Sequence, residues 1–244
     1  MRRHVGRKNY IMVEFQITIA VLVLMLVIIM PVIYKAKERA KSRICISNLK
    51  QCAMGFTFYS EINMDYMPYA SGNKYGIPWT LLMISENGSK NLTPKMVSCP
   101  VMKKKKKKDT TWWRFQPDYG VNDHLLSSSG NGSGNETGKL PRLSDPSEKL
   151  LVTDTWRNSS DGTPQLDSGW YCWDRVFMLN RRNIQMGRPA ARHFGNTVPS
   201  AFADMHVRLI QIPDRDSPES SPYFNYGTPT GYNALSWTST KTGD

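Results

Sequence analysis

The sequence lacks the short motifs that mark the commonest catalytic and nucleotide-binding sites. Its 244 residues contain no G-x-S-x-G nucleophile elbow, no phosphate-binding P-loop and no H-E-x-x-H zinc motif. Without them, no nucleophile or general base stands at a spacing that indicates a reaction. The sequence therefore predicts a protein that is not an enzyme.

Cysteine is scarce, and its spacing excludes the usual zinc modules. The chain has four cysteines, none in a C-x-x-C pair. On a helix, Cys45 and Cys52 would lie on one face roughly 10 Å apart, which is too far for a disulfide bond between them. We prefer the pairing of Cys45 with Cys99 and of Cys52 with Cys172 over the crossed arrangement, and free buried thiols are the alternative. Disulfides would suit an oxidising compartment.

Acidic residues are too few to balance the basic ones. The chain has 32 Lys and Arg against 20 Asp and Glu, a net charge of +12, and such an excess is typical of nucleic-acid-binding proteins. Here much of it lies at residues 2–8, at 35–43 and in the run Lys103–Lys108. The first two segments flank an apolar run, where basic side chains meet anionic headgroups, and no aromatic residue interleaves the third. We therefore expect no nucleic-acid partner.

The chain does contain one long apolar run. Phe15 to Tyr34 is 20 residues without a charged side chain, and as a helix it would span roughly 30 Å, the thickness of a bilayer core. It exceeds the apolar core of a secretory signal peptide, and no A-x-A-like site follows it. The run predicts a single-pass transmembrane helix. Because a short flank precedes it and a long domain follows, we expect a cytoplasmic N-terminus.

Apolar periodicity extends the predicted helix beyond the membrane part. Pro31 is the one strong breaker before residue 60, and it should bend the helix at the membrane edge. Past it, apolar residues recur at three- and four-residue intervals and form one face: Ile44, Leu49, Cys52, Ala53, Phe56 and Tyr59. We predict a basic leader at 1–9, a helix at 10–60 with its membrane part at 15–34, a head at 61–212, and a loose Pro-, Ser- and Gly-rich tail at 213–244.

The head indicates an α+β fold. A short helix is predicted over Trp79–Ile84, and strands over Lys149–Thr153 and Ala201–Ile210. Asp204 and Met205 should form the tight turn of a hairpin. The expected architecture is a long N-terminal helix, half transmembrane and half amphipathic, that carries a head with a small antiparallel sheet.

The start of the chain carries three features at defined spacings. A basic leader at 2–8 precedes the aromatic Tyr10, and counted from Tyr10, Glu14 is the fifth residue and Pro31 the twenty-second. These spacings resemble type IV prepilins and type II secretion pseudopilins, whose leader is cut just before an aromatic residue. The resemblance implies that the carboxylate of Glu14 is neutralised by the N-terminal amine of a neighbouring subunit.

Matches to one pseudopilin-like group continue along the chain. This group comprises prepilin-type proteins with a C-terminal H-X9-DG motif, of the kind found in Planctomycetes and Lentisphaerae, and its fold is a pilin-like head. The matching segments are 36–68, Cys99-Pro100, Tyr119–Asn122, Asp145–Asp154, Arg192-His193 and Phe202–Val207.

The chain departs from that group at three points. Asn9 stands where the group has glycine before the cut, ten residues rather than nine separate His193 from Asp204, and Met205 replaces the glycine of the DG pair. Glycine reaches backbone conformations that a side chain hinders. Asn9 therefore predicts slow or absent cleavage before Tyr10, and Met205 predicts a turn other than the type I′ turn that Asp-Gly favours.

The resemblance implies a structural role. The chain would be a subunit or minor component of a type II secretion or type IV pilus-like assembly, anchored in the bacterial inner membrane with its head outside the cytoplasm. Its expected partners are other pseudopilins, the assembly platform, the prepilin peptidase and membrane lipid. No cofactor is expected.

Metal sites compete with this interpretation. His193, Asp204 and His206 carry donor atoms that zinc or iron accepts and would give a metal-dependent enzyme. A structural hairpin accounts for this stretch better, so we predict no metal there. By analogy with some pseudopilin heads, Asp154, Asp204 and Asp174 would form a calcium site, although no EF-hand-like ligand run exists.

An aromatic set supports an alternative function. Aromatic platforms stack on sugars, which would make the chain a membrane-anchored, extracytoplasmic carbohydrate-binding protein, although tryptophans beside Cys172 more often form core. The set comprises Trp112, Trp113, Trp156, Trp170, Tyr171 and Trp173.

Overall fold

The computed structural model describes residues 7–70, 78–84, 90–102, 114, 116–122, 125–126, 139, 143, 145–158, 164–165, 169, 172–173 and 187–213. At 7–11, 158, 164–165 and 172–173 the description concerns the backbone alone. The predictions for Lys103–Lys108 and for the tail beyond residue 213 lie outside these residues.

One helix, α1 (Arg7–Ile62), forms the N-terminal part of the chain and includes Pro31. It begins three residues before the predicted start and ends two residues after the predicted end. The chain divides into two compact units, Met1–Ala40 and Lys41–Asp244. The boundary between these units falls inside α1, because the last part of α1 packs into the core of the second unit.

Within the first unit, α1 is apolar on all sides from Ile19 to Ile33. Every side chain from Met12 to Lys37 is exposed, and the helix contains a stretch that is long and apolar enough to cross a membrane. A helix that is hydrophobic all round needs lipid or other helices around it. The prediction of a helix able to span a bilayer is confirmed.

The part of α1 in the second unit buries one face. Cys45, Leu49, Cys52 and Phe56 are 0 % exposed and follow the predicted spacing of three and four residues. Ile44, which we placed on the same face, is 50 % exposed. The prediction for Ile44 was wrong because one residue of helix turns the side chain about 100° away from that of Cys45.

A short helix packs against this buried face. Helix α2 (Trp79–Ile84) has the predicted bounds, and the ring of Trp79 lies with its centroid 5.3 Å from that of Phe56. Gly55 permits the close approach of this region, since a Cβ there would lie 2.8 Å from Leu92 Cδ2 and 3.2 Å from Met83 Cε. The absence of a side chain at Gly55 therefore brings α1 against Met83 of α2 and the segment that follows it.

The described strands form one sheet. They are β1 (Tyr119–Asn122), β2 (Leu150–Asn158), β3 (Pro164–Gln165), β4 (Cys172–Trp173), β5 (Gly187–Pro189), β6 (Thr197–Phe202) and β7 (Val207–Gln211). Their order is β1-β4-β5-β2-β6-β7, and β3 pairs with β2. Strand β2 is central, because it pairs antiparallel with β1, β3, β5 and β6. The two-residue β4 adds parallel pairings with β1 and β5.

The predicted α+β class and the mainly antiparallel sheet are confirmed. The strand predicted over Lys149–Thr153 is the first half of β2, and the prediction over Ala201–Ile210 corresponds to the antiparallel hairpin of β6 and β7. Alternate residues of β6 face opposite sides of the sheet. Ala201 joins the large core that includes the buried face of α1, whereas Val198 and Phe202 join a smaller core.

Candidate functional site

A buried ion cluster lies where β2 meets the segment before β6. Asp154 is in the middle of β2, and His193 pairs with Thr197 across the turn that leads into β6. The His193 Nε2 atom lies 2.9 Å from Asp154 Oδ2, and the Arg192 guanidinium lies 3.0 Å from Asp154 Oδ1. The side chains of His193 and Asp154 are both 0 % exposed. A buried carboxylate therefore has two basic partners.

The pKa of His193 is set by opposing effects. Burial lowers it, but hydrogen bonds and charges from Asp154 and Cys99 outweigh burial and raise the pKa of His193 to about 9. At neutral pH the ring is then an imidazolium, in which both nitrogen atoms donate. Nε2–H donates to Asp154 Oδ2, and Nδ1–H donates to Ser42 Oγ at 3.1 Å. Ser42 of α1 thus fixes the orientation of the ring.

Two cysteines complete the cluster. Cys45 comes from the buried face of α1, and its Sγ atom lies 3.2 Å from Cys99 Sγ. Cys99 Sγ lies 3.7 Å from His193 Nε2. The ligand atoms of Cys45, Cys99 and His193 all lie within 4.8 Å of one another, and all three residues are buried.

A hydrogen bond to the residue that precedes β1 holds the segment that carries Cys99. The backbone N–H of Cys99 donates to Asp118 Oδ2 at 2.7 Å, and Asp118 directly precedes β1. Burial, followed by the hydrogen bond with Cys45, raises the pKa of the Cys99 thiol well above its ordinary value. Cys99 is therefore a thiol, not a thiolate, at neutral pH.

The structure brings together one of the cysteine pairs that the sequence suggested. Cys45, Cys52 and Cys99 are free thiols, and the separation of 3.2 Å between Cys45 and Cys99 exceeds the ~2.05 Å of a disulfide bond. Cys52 instead donates to the carbonyl of Met96 at 3.6 Å, and burial raises its pKa to about 12. The side chain of Cys172 lies outside the described residues. The Cys45–Cys99 disulfide stays a prediction.

The two histidines of the C-terminal motif have different surroundings. His206 Nδ1 lies 2.6 Å from Asp204 Oδ1, both side chains are partly exposed, and the ring of His206 stacks on Phe202 at 4.2 Å. His193 has other side-chain partners, which are Ser42, Cys99 and Asp154. A metal-dependent enzyme built on His193 and His206 together receives no geometric support.

The hairpin turn explains how Met205 replaces glycine. The N–H of Met205 donates to the carbonyl of Phe202, and the N–H of Phe202 donates to that of His206, both at 2.9 Å. This is the pattern of a type I turn followed by a left-handed residue that forms a bulge. Met205 occupies the left-handed position with φ 69°. The prediction of a turn other than type I′ therefore agrees with the structure.

The calcium hypothesis concerns three carboxylates, of which the structure describes two, and it stays a prediction. Asp154 is held by His193 and Arg192, Asp204 binds His206, and Asp174 lies outside the described residues. No group of potential metal ligands that includes Asp204 occurs in the described part of the chain.

Trp156 is the one member of the aromatic set whose side chain is described, and its position does not suit sugar binding. Trp156 is 1 % exposed, and the guanidinium of Arg192 lies 5.8 Å from the centroid of its ring. Trp156 is therefore a core residue and not a sugar platform. The side chains of the other members lie outside the described residues: Trp112, Trp113, Trp170, Tyr171 and Trp173.

The predicted processing residues lie at the start of α1. Asn9 and Tyr10 belong to the helix by their backbone, and their side chains lie outside the description. Glu14 is exposed, and its carbonyl accepts a hydrogen bond from Thr18 Oγ1 at 2.8 Å. Pro31 lies within α1. The geometry is compatible with a processing segment, and cleavage stays a prediction.

Sequence reasoning named most of the buried cluster but did not assemble it. His193 was assigned to a motif with His206, Asp154 to a calcium site and Cys99 to a disulfide. Ser42 was missed, although a signal existed, because it lies three residues before Cys45 and therefore on the same helix face.

Comparison with known protein families, curated proteins and solved structures finds no match to this chain. The residues themselves must therefore carry the functional argument.

Proposed function

We propose that the protein is a pseudopilin-like structural subunit, or a minor component, of a type II secretion or type IV pilus-like assembly. One observation carries the proposal. Helix α1 is uninterrupted from Arg7 to Ile62, with side chains exposed from Met12 to Lys37 and one face buried in the core from Cys45 onward. A subunit that moves from lipid into a helix bundle needs such an apolar helix attached to a folded head.

During assembly, the first part of α1 would move from a lipid environment into a bundle of helices. The side chains from Phe15 to Tyr34 would leave the lipid and pack against equivalent helices, with no charged group to desolvate. Glu14 is the exception, because a carboxylate in an apolar environment needs a partner. The N-terminal amine of a neighbouring subunit would supply that partner, which requires cleavage before Tyr10.

Removal of the carboxylate tests the proposal. The full-length chain, with a photo-crosslinking residue in place of Leu24, should form crosslinked multimers in a bacterial membrane that contains a prepilin peptidase and an assembly platform. Glu14→Gln should leave the chain in the membrane fraction and reduce the multimers at least tenfold. Glu61→Gln removes a carboxylate near the other end of α1 and should leave them unchanged. Equal multimer yields from both variants would refute the role of Glu14.

The residue before the predicted cut gives an independent test. Asn9→Gly restores the residue that prepilin peptidases accept, so the mature start at Tyr10 should form much faster than in the wild-type chain. N-terminal sequencing of membrane-extracted protein measures both. A start at Tyr10 in most wild-type molecules would show that Asn9 does not slow cleavage.

A further inference from the structure

The buried cluster of Cys45, Cys99 and His193 has the composition of a metal site, and the assembly role does not account for it. The three donors come from α1, from the segment before β1 and from the segment before β6. Their ligand atoms lie within 4.8 Å of one another in a fully buried environment. Two sulfur atoms and one imidazole nitrogen are ligands that Zn²⁺ prefers.

The distances are close to those around a tetrahedral ion. Bonds of about 2.3 Å to sulfur and about 2.0 Å to nitrogen would separate two sulfur atoms by about 3.8 Å, and sulfur from nitrogen by about 3.5 Å. The corresponding separations are 3.2 Å between the two sulfur atoms and 3.7 Å between Cys99 Sγ and His193 Nε2. Shifts of about half an ångström would accommodate the ion.

Groups around the cluster would orient the ligands. Ser42 Oγ lies 3.1 Å from His193 Nδ1 and accepts a hydrogen bond from Nδ1–H, which leaves Nε2 to face Cys99. A histidine ligand commonly donates its second ring N–H in this way. Asp154 Oδ2 lies 2.9 Å from the same Nε2 atom, and Arg192 holds the other oxygen of this carboxylate.

We propose that Cys45, Cys99 and His193 bind a thiophilic divalent cation, Zn²⁺. Binding releases three protons, one from each thiol and one from Nε2. The resulting centre of Zn²⁺, two thiolates and a neutral imidazole has no net charge, and Asp154 is balanced by Arg192. The ion would connect α1 to the segments that flank the sheet. This inference does not depend on the proposed assembly role.

Metal binding is tested on the full-length protein in detergent. The reduced, metal-free chain should take up one Zn²⁺, measured by atomic emission, and Co²⁺ in its place should give the visible absorption of a tetrahedral thiolate centre. Cys99→Ser should abolish stoichiometric uptake, whereas Cys52→Ser, a buried thiol outside the cluster, should retain it. Ser42→Ala should weaken the affinity about tenfold, as loss of an outer hydrogen bond to a metal ligand does.

A disulfide uses the same two sulfur atoms, so the outcomes separate the two states. Mass spectrometry of unreduced protein from its native membrane should show Cys45 and Cys99 as alkylatable thiols after chelation. A Cys45–Cys99 disulfide there overturns the proposal. Folded, reduced wild-type protein that binds no Zn²⁺ also overturns it, as does equal uptake by Cys99→Ser and Cys52→Ser. The Co²⁺ spectrum of the wild-type chain decides the case if Cys99→Ser does not fold.

Discussion

The two parts of helix α1 are both apolar but have opposite surroundings. In the first part, Leu22 and Leu24 are 55 % and 64 % exposed, whereas Leu49 in the second part is 0 % exposed. The first part is apolar around its whole circumference. The second confines its buried residues to one face, and its other face is polar or exposed, as at Phe58 with 56 % exposure.

This difference shows that apolar composition and apolar periodicity specify different partners. A single buried face can be satisfied by one surface, here the core formed with Trp79, Val121 and Val152. A helix that is apolar all round cannot be covered by one surface, so it requires lipid or several helices. Burial of one face of the second part therefore stabilises the fold of the chain. The exposed apolar side chains of the first part are left for contact with lipid or with other helices.

The largest expected effect tests the buried face directly. Phe56→Ala removes a side chain with 0 % exposure that contacts Trp79, and it should lower the free energy of unfolding by about 3–5 kcal/mol. Phe58→Ala is the matched control, because Phe58 is 56 % exposed, and should change it by less than about 0.5 kcal/mol. Urea unfolding in detergent, followed by near-ultraviolet circular dichroism, measures both. Equal losses would show that burial does not distinguish the two faces.

The next largest effect compares a buried charged side chain with a partly exposed one. Asp154→Asn leaves two buried basic partners without their carboxylate and should cost about 3 kcal/mol. Asp204→Asn alters a hydrogen bond with His206 that is about a third exposed and should cost less than about 1 kcal/mol. The same unfolding measurement, made with a chelator present, compares them. A larger loss from Asp204→Asn would contradict the assignment of Asp154 as the central buried charge.

A smaller effect concerns the backbone at the hairpin. Met205 has φ 69°, and a non-glycine residue in this region costs roughly 1–2 kcal/mol. Met205→Ala removes the side chain's packing but keeps the strain, so Met205→Gly should be more stable than Met205→Ala by about 1 kcal/mol. The difference in thermal stability between these two variants measures the free-energy cost of the left-handed backbone conformation. A more stable alanine variant would refute the turn geometry.

The smallest effect belongs to the first part of α1. Leu24→Ala should change the free energy of unfolding by less than about 0.5 kcal/mol, whereas Leu49→Ala should lower it by about 2–5 kcal/mol. The reason is that Leu24 is exposed and Leu49 is buried. If Leu24→Ala lowered the free energy of unfolding by more than about 1 kcal/mol, the first part of α1 would pack against other residues of the same chain. That result would contradict the exposure of Leu24.

Local patterns made much of the fold predictable. Helix α2, the strand at β2 and the hairpin of β6 and β7 follow from short runs whose periodicity is set by the backbone itself. The failure at Ile44 has the same origin, since a helix face is about 100° wide and its edge is fixed by the partner surface. The short strands β1, β3, β4 and β5 were not predicted, because segments of two to four residues carry too little periodicity.

The candidate site could not be assembled from the sequence for a different reason. Cys45 and Cys99 are 54 positions apart, and Ser42 and His193 are 151 positions apart. Contacts over such separations depend on how strands pair and how a helix lies on the sheet. His193 and His206 illustrate the point, because they are close in sequence but have no partner in common among the described residues.

The sequence by itself determined which parts of the chain are helix, which part of α1 is apolar around its circumference, and where the hairpin turns. These properties depend on neighbouring residues and on the fixed periods of helix and strand. Tertiary structure decided that Asp154 lies against His193 and Arg192, that Cys45 meets Cys99, and that Trp156 is core. The physical reason is that burial sets charge, protonation and ligand geometry, and burial exists only after distant segments have packed together.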